Sequence, residues 1–361
     1  VCTKKCLMID AVVVINSDTT YLEDKFTSLS VKVFAFDQYH HNNLDKIQDI
    51  TYLKSFISNI LIDYQNVGLV YGSGLEDKPE IYDYLRRKLN ILGNDPKIIS
   101  ECNDLRLLAN ILNECNLKLP KYVHNPIGST QKYLSKPFNS SGGYNISFSK
   151  KYKKNYYFQE YLQGETYSIS FFNHKKNFIF LGFNKLLHLV NFDLHPFIHA
   201  GALTTNEFLE SNDIIYSFEK LSNKLSMNGY NNIDFKILNK EVFVLDINPR
   251  ITSTFKIYND IYDNDLLRLT LNPHLSKKLE SSNNNDYVFV HMFIKEEYKF
   301  KNFFMDDPSF INLPNEGQYV GKNQPLLSIY LNSFSTLDLM TQLKEKISIT
   351  TNLYNCYDVD I

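Results

Sequence analysis

The sequence contains no tryptophan, and its aromatic content rests on 25 tyrosines and 26 phenylalanines. With the heavy use of Asn, Ile and Lys, this reads as genome bias rather than as a functional signature. No apolar run approaches the roughly 20 residues of a membrane helix. The longest, such as Phe178-Ile179-Phe180-Leu181, are strand-sized, so no membrane partner is expected. There is no large surplus of one charge: 38 basic and 40 acidic residues give a formal net charge of -2. A broad basic surface for nucleic acid is therefore not expected. The five cysteines are odd in number and scattered, which excludes a paired disulfide framework and suits a reduced, cytoplasmic chain. Cys2 and Cys6 have no second pair to complete a metal site. Lys4 and Lys5 precede an apolar run, 11–15, that is too short for the core of a signal peptide. The phosphate-loop pattern GxxxxGK[ST] is missing, as are internal repeats, coiled-coil heptads and long low-complexity tracts.

What remains is a chain of 361 residues, 43% hydrophobic and 22% charged, long enough for two or three domains with sizeable cores. Its first third alternates strand-like and helix-like segments. Continuous apolar runs at 11–15, 31–36 and 67–71 predict parallel strands covered on both faces. Helical spacing recurs over 53–64, 80–89 and 104–115, with Asn103 as the expected N-cap of the last. This alternation predicts an open α/β sheet with right-handed crossovers. The pattern changes near Pro120. Short strands with glycine turns fill 131–182, an amphipathic helix is expected over 217–227, and two strands over 233–237 and 242–247. Ser281-Ser282-Asn283-Asn284-Asn285-Asp286 reads as a linker. A β-rich piece follows, closed by a helix over 337–346.

Three segments carry chemistry. In the first, Ile233-Asp234-Phe235 is followed by Val244-Leu245-Asp246-Ile247-Asn248-Pro249-Arg250. Period two puts Asp246 and Asn248 on one face. A three-residue loop, 238–240, would set Asp234 diagonal to Asp246 on that face. Two carboxylates and an amide oxygen suit Mg²⁺ or Mn²⁺ bound to phosphates. Arg250, just past the strand end, could clamp a phosphate or carboxylate. The alternative is a solvated hairpin face. The second segment runs from Lys136 at a strand end into Pro137-Phe138-Asn139-Ser140-Ser141-Gly142-Gly143, where glycine amides and an ammonium could meet phosphate oxygens; the alternative is an ordinary Gly-Gly turn. In the third, an aromatic strand ends in Gln159-Glu160-Tyr161-Leu162, then Gly164-Glu165. An adenine could lie there, with Glu160 or Glu165 on ribose hydroxyls, although alone the segment reads as a plain hairpin.

In this order and spacing, the three segments resemble the ATP-grasp superfamily. Lys136 with Ser140, Ser141, Gly142 and Gly143 looks like its phosphate lid. Gln159, Glu160, Tyr161, Leu162 and Glu165 look like its adenine hinge, and Asp234, Asp246 and Asn248 like its two-metal hairpin. The resemblance implies an α/β and α+β architecture: a Rossmann-like domain (1–118), a small lobe (119–162), a large lobe with the metal hairpin (163–280) and a β-rich C-terminal piece (286–361). Narrower matches resemble predicted carboligases related to biotin carboxylase, which are similar to the tyramine–glutamate ligase of methanofuran synthesis. They are Tyr71-Gly72-Ser73-Gly74-Leu75-Glu76, Ile91-Leu92-Gly93-Asn94-Asp95-Pro96, His199-Ala200-Gly201-Ala202-Leu203, Pro314-Asn315-Glu316-Gly317 and Gly321-Lys322-Asn323-Gln324-Pro325. Three features depart from the pattern. Asp246 stands where Glu is common, the second nucleotide lysine could be Lys121 or Lys132, and Asn16-Ser17-Asp18 replaces a small-residue turn.

The resemblance implies an ATP- and Mg²⁺-dependent carboxylate–amine ligase working through an acyl-phosphate. Its partners would be a small carboxylate and an amine, with glutamate addition in one-carbon cofactor synthesis as the narrower expectation. A homodimer is the expected assembly, by frequency among similar proteins. Arg250 is expected to hold the carboxylate or the tetrahedral oxyanion, and Lys185 the transferred phosphoryl group. Gly72-Ser73-Gly74 could receive a carboxylate, and His195 and His199 could line the acceptor site. The competing readings are a biotin-carboxylase-like carboxylase, an ATP-grasp kinase and a non-catalytic nucleotide-binding module.

Overall fold

The computed structural model describes residues 9–39, 41, 43–74, 78–126, 132–138, 142–149, 151–190, 192, 197–275, 279–304 and 307–361. Four parallel strands, Ala11–Ile15, Lys32–Phe36, Val67–Tyr71 and Asn90–Ile91, form the N-terminal sheet in the spatial order second, first, third, fourth. The first and third are buried along their whole length, as continuous apolar runs require between two layers. The order reverses between those two strands, which leaves a crevice at their carboxyl ends. Helices Ile50–Asp63 and Pro79–Arg86 begin within three residues of the expected positions. Asn103 does not cap the next helix. It is the last residue of Pro96–Asn103, a helix started by Asp95 and Pro96, and Asp104 caps Leu105–Glu114 by accepting from the amides of Arg106 and Leu107.

A second, four-stranded antiparallel sheet has the order Tyr122–Val123, Tyr156–Glu160, Tyr133–Pro137, Ser147–Phe148. Facing it is a nine-stranded sheet. Its main path runs Glu241–Asn248, Gly229–Leu238, Tyr167–His174, Asn177–Leu189, His199–Thr205, Asp286–Phe293, Pro325–Ser333, Phe310–Ile311. The strands from Asp286 onward, expected as a β-rich piece of their own, extend this same sheet through Gly201, Ala202 and Leu203. Helix Asn212–Lys224 packs on one end of it, around Phe218, Phe235 and Val244. Helix Thr336–Tyr354 packs on the other end, around Val290, Ile329 and Leu343. This last helix outruns the expected 337–346. Its end is set by Asn355 in the left-handed region (φ 52°), a C-cap signal that the apolar spacing alone did not carry.

Asp260 ties three parts of the chain together. It accepts from the Tyr21 hydroxyl (2.7 Å) and the Tyr330 hydroxyl (2.9 Å). The Lys256 ammonium, paired with the same carboxylate at 3.4 Å, lies 4.2 Å from the Tyr21 ring and 4.1 Å from the Tyr330 ring. A desolvated cation between two π faces is a strong joint. It fixes the N-terminal unit and the C-terminal strands around one cavity.

Candidate functional site

The acidic hairpin turns through two residues, Asn239 and Lys240, both at positive φ (53° and 66°), not through the expected three. That is the geometry of a tight hairpin turn compatible with strand twist. Continued regularly, this register would set Asp234 opposite Leu245. A bulge at Leu245 shifts it by one, and Asp234 lies directly opposite Asp246 instead of diagonal to it. The bulge also frees the Leu245 carbonyl, which accepts from the Lys136 ammonium at 3.0 Å; Gln159 Oε1 accepts from the same group at 3.2 Å. One extra residue thus aligns two carboxylates and anchors a lysine from the opposite sheet.

Charge accumulates around that point. Burial, and then the charge of Asp246, push the Asp234 carboxyl up to about 8, while Lys136 and Arg250 pull it back. Burial pulls the Lys136 ammonium down, but Tyr157, Asp246 and Asp234 together hold it above the ordinary lysine value. A carboxylate kept from water opposite a second one is a group that a divalent cation would relieve. Asp234, Asp246 and Asn248 supply the hard oxygens that Mg²⁺ or Mn²⁺ takes. Behind them the sheet is polar but satisfied: Asn232, opposite Asn248, donates to the Ser168 and Ser170 hydroxyls at 3.1 Å each.

The cavity between the two antiparallel sheets and the N-terminal unit measures about 1050 Å³, room for a nucleotide beside a second molecule. Lys136, Gly142, Gly143, Gln159, Glu160, Tyr161, Leu162, Glu165, Asp234, Asp246, Asn248 and Arg250 all line it. Ser140 and Ser141 lie outside the described residues, as do His195, Leu75 and Glu76. In the hinge, the Tyr161 amide donates to the Lys132 carbonyl at 3.0 Å and the Glu160 amide to the Lys121 carbonyl at 2.7 Å. Those two amides are therefore committed within the protein. Gly143 (φ 80°) accepts no side chain, because a Cβ there would sit 1.9 Å from the Phe197 carbonyl oxygen. The neighbouring Gly142 carbonyl accepts from the His199 amide at 3.1 Å, so this segment lies against the start of strand His199–Thr205.

Three lysines named from the sequence stand apart from the cavity wall. Lys185 pairs with Glu165 at 3.4 Å and is not among the lining residues, nor are Lys121 and Lys132. Lys236 lines the cavity instead. Its ammonium donates to the Gly164 carbonyl, lies 5.8 Å from the Tyr161 ring, and is pulled down by burial against the opposing charge of Glu165. The signal for it was present: Lys236 is two residues beyond Asp234 on a strand. At the far end of the cavity, Asn16, Ser17 and Ser73 line the crevice of the parallel sheet. There the Asn16 side-chain oxygen accepts from the Ser73 amide at 3.0 Å.

Two antiparallel sheets gripping a cavity, with an acidic hairpin on one and a lysine and glycine segment on the other, define the ATP-grasp fold. The family model described as ATP-grasp domain matches residues 102–254, and the chain has the ATP-grasp fold. Among its relatives, an uncharacterized protein of Methanocaldococcus jannaschii is 25% identical over 267 residues, 66% of this chain and 63% of that protein. The tyramine–L-glutamate ligase of Methanocaldococcus fervens is 26% identical over 279 residues, 74% of this chain and 84% of that enzyme. The crystal structure of an L-amino acid ligase from Bacillus licheniformis superposes with a TM-score of 0.69 at 11% identity, covering 94% of this chain and 97% of that one. At that identity the likeness shows the fold.

Proposed function

We propose that the protein is an ATP-dependent carboxylate–amine ligase that forms an amide through an acyl-phosphate. The observation that carries this reading is the alignment of Asp234 with Asp246 beneath Lys136, within a cavity that reaches the crevice of the N-terminal sheet. Asp234, Asp246 and Asn248 would hold Mg²⁺ or Mn²⁺, which when bound offsets charge on the nucleotide phosphates. Lys136 stabilises the transferring phosphoryl group from the opposite sheet. Lys236, beside Tyr161, takes the nucleotide-side role first given to an upstream lysine. Arg250 orients the substrate carboxylate against the γ-phosphate. The carboxylate oxygen forms a bond to phosphorus as the bond to ADP breaks. An amine then attacks the acyl carbon and phosphate leaves. The Gly142–Gly143 segment, seated on His199, keeps water from the intermediate.

The ligase relative from Methanocaldococcus fervens supports a narrower form: L-glutamate as the carboxylate and a small amine such as tyramine as the acceptor, in line with the one-carbon cofactor synthesis that the sequence resemblance implies. The test is phosphate release from ATP and Mg²⁺ across a panel of carboxylates and primary amines that includes these two, with mass spectrometry of the products. Release that needs both an acid and an amine, with a product one water lighter than their sum, is expected. Bicarbonate-dependent release with no amine requirement would favour a carboxylase. ATP binding without turnover under any condition would favour a non-catalytic module.

A further inference from the structure

The ligase reading leaves one proton without a taker. A primary amine reaches the cavity as an ammonium, whose nitrogen has no lone pair until a group removes a proton. Phe289, His291 and Phe293 alternate along strand Asp286–Phe293, and all three line the cavity. The His291 ring lies 4.5 Å from that of Phe289 and 6.4 Å from that of Phe293. On the adjacent strand, a register shift sets His199 opposite His188, with both rings on the cavity wall, while Ala200 is buried in the core. His199 Nε2 shares a hydrogen bond with Ser253 Oγ at 3.2 Å, and His291 Nδ1 with Ser328 Oγ at 3.0 Å. Among the described residues the second nitrogen of each ring makes no hydrogen bond. Burial, and then the neighbouring imidazoles, push His199 down to about 3; burial alone pushes His291 down to about 4. Both rings are therefore neutral, and the open nitrogen of each holds a lone pair that accepts a hydrogen bond. The same burial disfavours an ammonium, since both groups are cationic when protonated. The wall therefore favours the neutral form of an amine.

We propose that this wall is the acceptor subsite of the ligase, that it takes a primary amine carried on an apolar arm in its neutral form, and that His199 and His291 each accept a hydrogen bond from its nitrogen. The ammonium leaves one proton to water as it enters, and the two N–H bonds that remain donate to the open ring nitrogens of His199 and His291. The freed lone pair forms the C–N bond, the C–O bond to phosphate breaks with its electron pair going to phosphate, and the second amine proton leaves with the phosphate. Phe289, Phe293 and Leu327 form the apolar side of the subsite.

The inference rests on the ligase reading, and one comparison separates the two. Hydroxylamine is largely unprotonated at neutral pH, so it attacks an acyl-phosphate without a base. The experiment measures hydroxamate formation with hydroxylamine and amide formation with tyramine, with L-glutamate as the carboxylate, for the unmodified protein and for His199→Asn. A loss of about 10-fold or more in amide formation, with hydroxamate formation within about 3-fold of the unmodified protein, is expected, the range set by loss of one hydrogen bond to the attacking nitrogen. Retained hydroxamate formation also shows that the variant is folded. Equal losses with both nucleophiles, or no loss with the amine, would overturn the role of His199. Hydroxamate without amide, for every primary amine of the panel, would overturn the subsite while leaving acid activation intact. No hydroxamate with any carboxylate would remove the ligase reading and this inference together.

Discussion

The acidic hairpin and the imidazole wall face the same cavity but handle polarity in opposite ways. At the hairpin, opposed charges are packed together: Asp234 against Asp246, with Lys136 and Arg250 pulling on Asp234 from nearby. Such a cluster is costly to desolvate unless its members pair or hold an ion. At the wall, titratable groups are kept neutral by phenyl rings and burial. The first arrangement suits phosphate and metal, and the second suits an apolar amine that must lose a proton. Their proximity lets one cavity supply charge stabilisation at one end and a dry acceptor site at the other.

The comparison is broken most completely at Asp234. Asp234→Asn is expected to lower turnover by ~10³-fold with hydroxylamine and amine alike, because phosphoryl transfer itself loses its charge stabilisation. This contrasts with the nucleophile-selective loss expected for His199→Asn, and steady-state assays with both nucleophiles distinguish the two. A loss confined to the amine would remove the hairpin's assigned role.

Deleting Leu245 tests the bulge. Without Leu245 the pairs Phe235–Val244 and Asp234–Asp246 become consecutive, so the acidic pair is kept and the Leu245 carbonyl that anchors Lys136 is lost. Turnover should fall by about 10- to 100-fold, as for loss of one hydrogen bond to a charged group, since Lys136 keeps Gln159 and loses the carbonyl. Val242 and Val244 keep their partners and faces, so calorimetry should show a Tm close to that of the unmodified protein. Unchanged activity would mean that the Leu245 carbonyl does not position Lys136.

Lys236→Met sharpens the assignment on the nucleotide side. An approximately tenfold rise in the KM for ATP is expected, with kcat changed less, as for loss of one charge-assisted contact made equally in ground and transition states. Competition binding with ADP would check it. The smallest effect is expected for Lys185→Ala. Its ion pair with Glu165 is partly exposed and worth little, so activity should stay within about 2-fold. A large loss there would restore Lys185 to the reacting groups.

Much of this was legible in the chain itself. Buried parallel strands announce themselves as unbroken apolar runs, and Ala11–Ile15 and Val67–Tyr71 fall on the predicted residues. Asp234, Asp246, Asn248 and Arg250 stand out because polar residues sit at strand period without an apolar reason. The Asn103 cap was misplaced because a short helix starting at Pro96 already uses that residue, and periodicity does not separate two helices that abut.

The sequence by itself determined the chemistry available: which strands are apolar, where carboxylates, lysines and glycines fall, and their order along the chain. These follow from local periodicity and side-chain chemistry, both written in consecutive residues. Only the tertiary structure decided which of those groups meet. The bulge at Leu245 sets the acidic pair face to face, Lys236 and not Lys185 lines the cavity, and His199 and His291, 92 positions apart, share one wall. Register, bulges and the joining of distant strands depend on long-range packing, where a shift of one residue turns a side chain from core to cavity.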